Sequence, residues 1–216
     1  MKTLFSYIWP ITRRIPSEFN GVMEVTYSHG KKVLDSKNAN YSYGPLQEIL
    51  EFGLTKVDLK SVDNLLLLGL GGGSIIKSLR ETFEYKNQIY AVEIDPAMIQ
   101  IAKDEFGISE SWNLKIIHDD AFLFTKTSRR KYQLVIIDLF IDNKVPPIFY
   151  QKEFCDRIAR ILSPQGSFIF NVGMNPENDN EAAEHLVSHF EENFNLQLYP
   201  NVLKQNFLII GSKKER

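Results

Sequence analysis

Four strand-end positions carry the residues best able to do chemistry. The apolar run at residues 65–68 ends in Gly69-Leu70-Gly71-Gly72-Gly73-Ser74, directly ahead of a helical pattern. Glycines let a backbone approach a ligand closely and adopt positive φ. The helix start adds free N–H groups and a positive dipole end. QIYAVEI then leads to Glu93, 24 residues after Gly69, where a carboxylate accepts hydrogen bonds from both hydroxyls of a ribose. LKIIH runs into Asp119-Asp120-Ala121. An acid there accepts from an adenine amino group while a backbone N–H serves a ring nitrogen, and only one of the two acids is needed to cap the next helix. YQLVIID ends at Asp138, placed beside the glycine turn to orient or deprotonate an amine nucleophile. Each position has a plainer reading as a tight turn, a helix cap or a loop contact. Their combination points to a nucleoside site with a proton acceptor at its edge.

These groups need a frame that brings strand ends together. Strand and helix patterns alternate through most of the 216 residues, which implies right-handed βαβ crossovers and a parallel sheet covered on both faces. LQLYP and QNFLIIGSK, joined by a short loop at Asn201, read as an antiparallel hairpin. The expectation is a Rossmann-like, doubly wound, seven-stranded α/β sheet, mostly parallel with one antiparallel edge strand. Ligands bind outside the carboxyl ends of such strands, at the switch point. GVMEVTYS and KKVLDS flank His29-Gly30 as a small N-terminal β-hairpin region over residues 1–44, ahead of the main domain at 45–216. The spacing of FYQKEFCDRIARIL predicts a helix stopped by Ser163-Pro164-Gln165-Gly166, and the terminal KKER reads as a solvated tail.

Composition narrows the classes. With 25 basic and 27 acidic residues the net charge is -2, which gives no broad basic surface for nucleic acid. The lone Cys155 excludes an intrachain disulfide and fits a reducing compartment. Its helical setting reads as a buried structural thiol. The apolar run at residues 4–9 stops at Pro10 and is followed, not preceded, by Arg13-Arg14, so it fails as a secretory signal. No stretch reaches the length of a membrane span, and a cytoplasmic location is expected. His185 and His189 share a helix face without a third ligand and read as a solvated face, so no metal is expected.

GLGGGS, AVEIDPAMIQIAK, HDDAF, YQLVIIDLF and LSPQGSFIFNV in succession resemble the spermidine synthase family, a branch of the class I methyltransferase fold; the resemblance covers about residues 30 to 172. It implies S-adenosylmethionine or its decarboxylated form as cofactor, without a metal. It implies Gly69, Gly71, Gly72 and Gly73 at the cofactor, Glu93 on the ribose, and Asp120 with Ala121 on the adenine. Asp138 matches the amine base or anchor. YSYGPLQ, with Tyr41, Tyr43 and Gln47, lies where that family contributes tyrosine and glutamine to the substrate pocket. Two departures stand out. Gly72 occupies the place of the aspartate that holds the aminopropyl ammonium group. The second acid of the post-strand motif is Ile141 here, with Asp142 one residue on.

Three functions follow as alternatives. One is a methyltransferase-like transferase with a small-molecule acceptor, an amine being one candidate, and with a homodimer among the assemblies it admits. The second is an aminopropyltransferase of polyamine biosynthesis acting on a diamine. The third is a non-catalytic S-adenosyl-binding protein. A dinucleotide-dependent oxidoreductase fits less well, because its fingerprint wants glycine or alanine at Ser74 and leaves Asp120 and Asp138 without a role. Gly72 tips the balance towards methyl transfer.

Overall fold

Side-chain alternation along two neighbouring strands builds the centre of the molecule. In β5 (Asn64–Leu68) and β8 (Tyr132–Ile137), Leu66, Leu68, Val135 and Ile137 point to one face, and Leu65, Leu67, Leu134 and Ile136 to the other. Strands that are apolar on both faces have to be covered on both. On the first face lie α5 (Lys152–Ile161) and α6 (Asn180–Glu191), which contribute Phe154, Ile158, Leu186 and Phe190. On the second lie α1 (Pro45–Leu54) and α2 (Ser74–Glu81), which contribute Ile49, Leu54, Ile75 and Leu79. The computed structural model describes residues 9–38, 40–173, 180–204 and 206–215. The apolar run discussed above therefore lies, apart from Trp9, outside the described residues.

The main sheet has seven strands. Besides β5 and β8 these are β6 (Gln88–Glu93), β7 (Leu114–His118), β9 (Leu162–Asn171), β10 (Phe194–Val202) and β11 (Asn206–Lys213). Their order is β10-β11-β9-β8-β5-β6-β7. Pairing is parallel from β9 to β7, while β11 runs antiparallel to both β9 and β10. The reversed strand therefore lies one place in from the edge, inside the expected hairpin. The chain leaves β5 towards β6 on one side and returns to β8 on the other. This is the switch point, and the crevice opens above it.

The N-terminal region is larger than the expected hairpin. β2 (Gly21–Ser28) and β3 (Lys31–Asp35) are joined by β1 (Ile11–Ser17) and β4 (Asn40–Ser42) in a four-stranded antiparallel sheet. Strand β1, ITRRIPS, is exposed along most of its length, and its two arginines and proline hide a strand signal based on apolar alternation. The sheet packs Met23, Val25 and Leu34 on Met98 and Ile101 of α3 (Pro96–Phe106).

Two local expectations are corrected. Ser163-Pro164-Gln165-Gly166 does not separate helix from strand. It is a bulge inside β9, where Tyr132 pairs with Leu162 and Leu134 already pairs with Ser167. A positive φ of 61° at Gln165 absorbs the extra residues. The terminal lysines are not simply solvated. Lys213 Nζ donates to the carbonyls of Ala159 and Leu162, and Lys214 Nζ to that of Glu191. Cations thereby meet the negative ends of α5 and α6. Among the described residues no helix is long and apolar enough to cross a membrane.

Gly69 follows β5 at the carboxyl end of its pairing with β8. Asp138 N donates to Leu68 O at 2.9 Å, φ at Gly69 is 92°, and a Cβ there would collide with the Asp138 carbonyl oxygen. Strain and overlap act together, so Gly69→Ala should cost more than about 2 kcal/mol of stability. Urea unfolding with an unchanged m-value checks this.

Candidate functional site

The carboxyl ends of the sheet and the N-terminal sheet enclose a cleft of about 500 Å3, a size ordinary for a small-ligand site. Its floor includes Gly69, Leu70, Gly71, Glu93, Asp119, Asp120, Ala121 and Asp138, and its roof Phe19, Asn20, Asn38, Tyr41 and Ser42. Five carboxylates line it (Glu93, Asp119, Asp120, Asp138 and Asp142), and no Lys, Arg or His is among the described lining residues. The electrostatic preference is for a cation.

Glu93 organises the end of the cleft at the glycine turn. Its Oε2 accepts from Leu70 N at 2.9 Å and Gly71 N at 3.1 Å, and its Oε1 accepts from Asp95 N at 3.0 Å. Burial pushes its pKa up, and the three backbone donors oppose that shift. Two donors occupy Oε2, while Oε1, with one, keeps lone-pair capacity for a hydroxyl. Gly72 N donates to Ser42 Oγ at 2.8 Å and Gly73 N to Leu70 O at 2.9 Å. The N–H groups of the glycine turn are thus engaged within the protein and form no open anion nest.

Gly71 and Gly69 line the cleft, but Gly72 and Gly73 do not. A Cβ at Gly72 would stand 2.9 Å from Ser42 Cβ and 3.1 Å from Leu34 Cδ2, and one at Gly73 would stand 2.6 Å from Ile108 Cγ1. Packing accounts for both glycines. Asp120 Oδ1 caps α4 (Ala121–Thr127) by accepting from Leu123 N at 2.9 Å, and Asp119 Oδ1 accepts from Asp120 N at 2.8 Å. Asp120 and Ala121 remain on the cleft wall. Gln47 also lines it, with its Nε2 donating to Glu51 and Ser78. Tyr43 does not: its ring stacks on Phe106 at 4.2 Å and its hydroxyl donates to Gly72 O at 3.2 Å.

At the other end Asp138 is half-buried. Asn171 Nδ2 donates to its Oδ1 at 2.9 Å, and Asn206 Nδ2 donates to Asn171 Oδ1 at 2.7 Å. Both asparagines are buried, at 2% and 6% exposure. Burial lifts the Asp138 carboxyl to about 6 against the pull of Asn171, which brings a proton acceptor close to neutral pH. Asn171 follows an apolar strand, as Asp138 does, and that signal in SFIFN was available in the sequence. Nothing local marks Asn206.

Asp142 is a tie between layers. Ser36 Oγ donates to its Oδ1 at 2.5 Å, and Asn38 Nδ2 to its Oδ2 at 2.6 Å. These donors hold its carboxyl below the usual range. Asp142 N donates to Asn20 Oδ1 at 3.3 Å, and the Tyr41 hydroxyl lies within reach of Asn20 Oδ1 and the Phe140 carbonyl. Asp95, fully buried, caps α3 at Ala97 N and also accepts from Ser17 and Asn20 of the roof. His185 and His189 stack on each other, and no metal-binding group is present among the described residues. Cys155 is fully buried, with its thiol pushed up to about 12.

Residues 52–205 match the family model of the spermine/spermidine synthase domain. The chain belongs to this family. The proteins it is similar to include two kinds of transferase. The bovine (Bos taurus) eEF1A lysine and N-terminal methyltransferase is 35% identical over 121 residues, which is 50% of this chain and 17% of that protein. The polyamine aminopropyltransferase of Sulfolobus acidocaldarius is 24% identical over 201 residues, 77% of this chain and 63% of that protein. This spermine/spermidine synthase-domain chain spans less than two thirds of either. Among solved structures, human methyltransferase-like protein 13 in complex with SAH superposes with a TM-score of 0.68 at 24% identity, covering 79% of this chain and 83% of that one. The likeness establishes the shared methyltransferase-type fold.

The shifted Asp138 yields a pH test. Its folded-state pKa lies above the ordinary aspartate value, so the unfolded chain releases this proton first. Its burial therefore costs stability as pH rises from about 4 to about 6, with the full cost present above that. Asp138→Asn keeps the acceptor for Asn171 and removes the charge. Relative to the parent protein it should gain about 1–3 kcal/mol between pH 4 and 7, read from unfolding midpoints across that range.

Proposed function

We propose that the protein is an S-adenosylmethionine-dependent transferase of the spermidine synthase-like branch that methylates an amine in the cytoplasm. One observation carries this reading: the cleft joins five carboxylates and no described cationic side chain to a glycine turn whose N–H groups are already engaged. A sulfonium nucleoside suits that environment. The pyrophosphate of a dinucleotide does not, since it needs those N–H groups.

Glu93 holds the ribose, and Asp120 with the backbone at Ala121 holds the adenine. Gly69 and Gly71 let the bound molecule lie against the backbone. When bound, the cofactor supplies an electrophilic carbon attached to positively charged sulfur. Asp138 takes a proton from the acceptor ammonium, which leaves a neutral amine nitrogen with a lone pair to attack, and Asn171 and Asn206 fix the carboxylate's orientation. The roof excludes water.

Aminopropyl transfer is the second reading, favoured by the longer match to the archaeal aminopropyltransferase. It uses the same nucleoside end and needs an acid for the aminopropyl ammonium. Gly72 offers none, and Ser42 and Leu34 fill the space a side chain there would take.

Calorimetry with S-adenosylmethionine, its decarboxylated form and NAD tests the assignment. The first should bind at least as tightly as the second, because an unpaired aminopropyl ammonium is costly to desolvate, and NAD should not bind. A clear preference for the decarboxylated cofactor, with putrescine converted to spermidine, would establish the second reading instead. Once an acceptor is in hand, Asp138→Asn should lower single-turnover rates by about 10²–10⁴-fold with cofactor affinity retained.

A further inference from the structure

The acceptor end of the cleft is lopsided in charge. All five lining carboxylates accept from the protein: Glu93 from three backbone N–H groups, Asp142 on both oxygens from Ser36 and Asn38, and Asp119, Asp120 and Asp138 each on Oδ1. Asp119 and Asp120 belong to the end assigned to the adenine. At the acceptor end Asp138 is the carboxylate whose second oxygen, Oδ2, has no described hydrogen bond.

The wall that continues from Asp138 is mostly apolar, with Leu139, Phe140, Ile141, Pro146, Ile148 and Phe149; its polar members are Asn143 and Asp142, and both oxygens of Asp142 already accept from Ser36 and Asn38. A ladder from Ile141 to Lys144, closed by Ile141 N to Lys144 O at 2.9 Å, turns this stretch back on itself. Two of its large side chains stand in the open at the cleft rim, Ile141 at 43% and Ile148 at 38% exposure. Aliphatic groups left exposed around a cleft suit an apolar ligand surface.

We propose that the acceptor carries one ammonium group on an apolar stem, and that the cleft discriminates against diamines. The inference rests on the reading of the cleft as a sulfonium-nucleoside site with Asp138 at the acceptor. An ammonium paired with Asp138 directs the rest of its molecule along the apolar wall. A methylene or aryl body gains from that contact, whereas a second ammonium there loses water without meeting a free carboxylate. A free monoamine and a lysine side chain both present this chemistry.

The test is calorimetry on the full chain saturated with S-adenosylhomocysteine. The probes are hexylamine, 1,6-diaminohexane, putrescine and Nα-acetyl-lysine methylamide. Hexylamine should bind about tenfold or more tightly than 1,6-diaminohexane, which has the same length and differs in the second ammonium. Hexylamine well ahead of the lysine derivative points to a free monoamine; the reverse order points to a lysine side chain, and either supports the proposal. Ile141→Asp, at an exposed position that leaves folding intact, should reverse the ranking of hexylamine and 1,6-diaminohexane. Equal or tighter binding of either diamine by the parent protein overturns the proposal, as does the absence of binding by every amine. If S-adenosylhomocysteine itself does not bind, the cofactor reading falls as well. If it binds and a diamine is preferred, the present inference alone falls.

Discussion

The shape of the cleft depends on one buried carboxylate. Glu93 closes β6 and turns its oxygens onto the backbone of two loops, the glycine turn after β5 and the turn into α3. A buried carboxylate is tolerated when donors surround it, and three N–H groups do so here. The same bonds rotate the glycine turn inward. Donors that would otherwise meet a phosphate are spent on Glu93 and Ser42, and the site is left acidic. A single interaction thus shapes the floor and sets the sign of charge the cleft accepts.

The roof is fastened by the same means. Asp95, Glu105 and Asp142 each accept from the N-terminal sheet, at three separate places. Glu105 meets Arg13 at 2.6 Å and Lys32 at 2.9 Å, and their charges hold its carboxyl below the usual range. Among the described residues of that sheet, Met23, Val25 and Leu34 are the buried apolar ones. Charged and polar ties therefore supply the orientation of the roof, and a small apolar cluster supplies its attachment.

Much of this was legible in the sequence because sheet and site share a signal. An apolar run that stops at a glycine or an acid marks a buried strand and its cleft-lining end together, as at Gly69, Glu93 and Asp138. The N-terminal sheet was only half legible, because β1 is exposed and carries arginines where alternation would show apolar residues. Spacing indicated that Asp120 or Asp119 would cap a helix, and left open which. Gly72, Gly73 and Asn206 needed three dimensions, since their neighbours Ser42, Ile108 and Asn171 are distant in the chain. The bulge in β9 was hidden because Pro164 and Gly166 give the same signal whether a turn ends an element or interrupts it.

The two ends of the cleft are built from different material. The end at the glycine turn is wired into peptide groups of β5, β6 and the turns that follow them, so altering it disturbs the sheet. The end beyond Asp138 is lined largely by side chains on one connection, residues 139–149, joined by Asn171 of β9 and Asn206 of β11. A change in that connection that spares Asp142 leaves the ties to the roof and the peptide groups around Glu93 in place. The shape of the cleft is therefore freer to vary at one end than at the other.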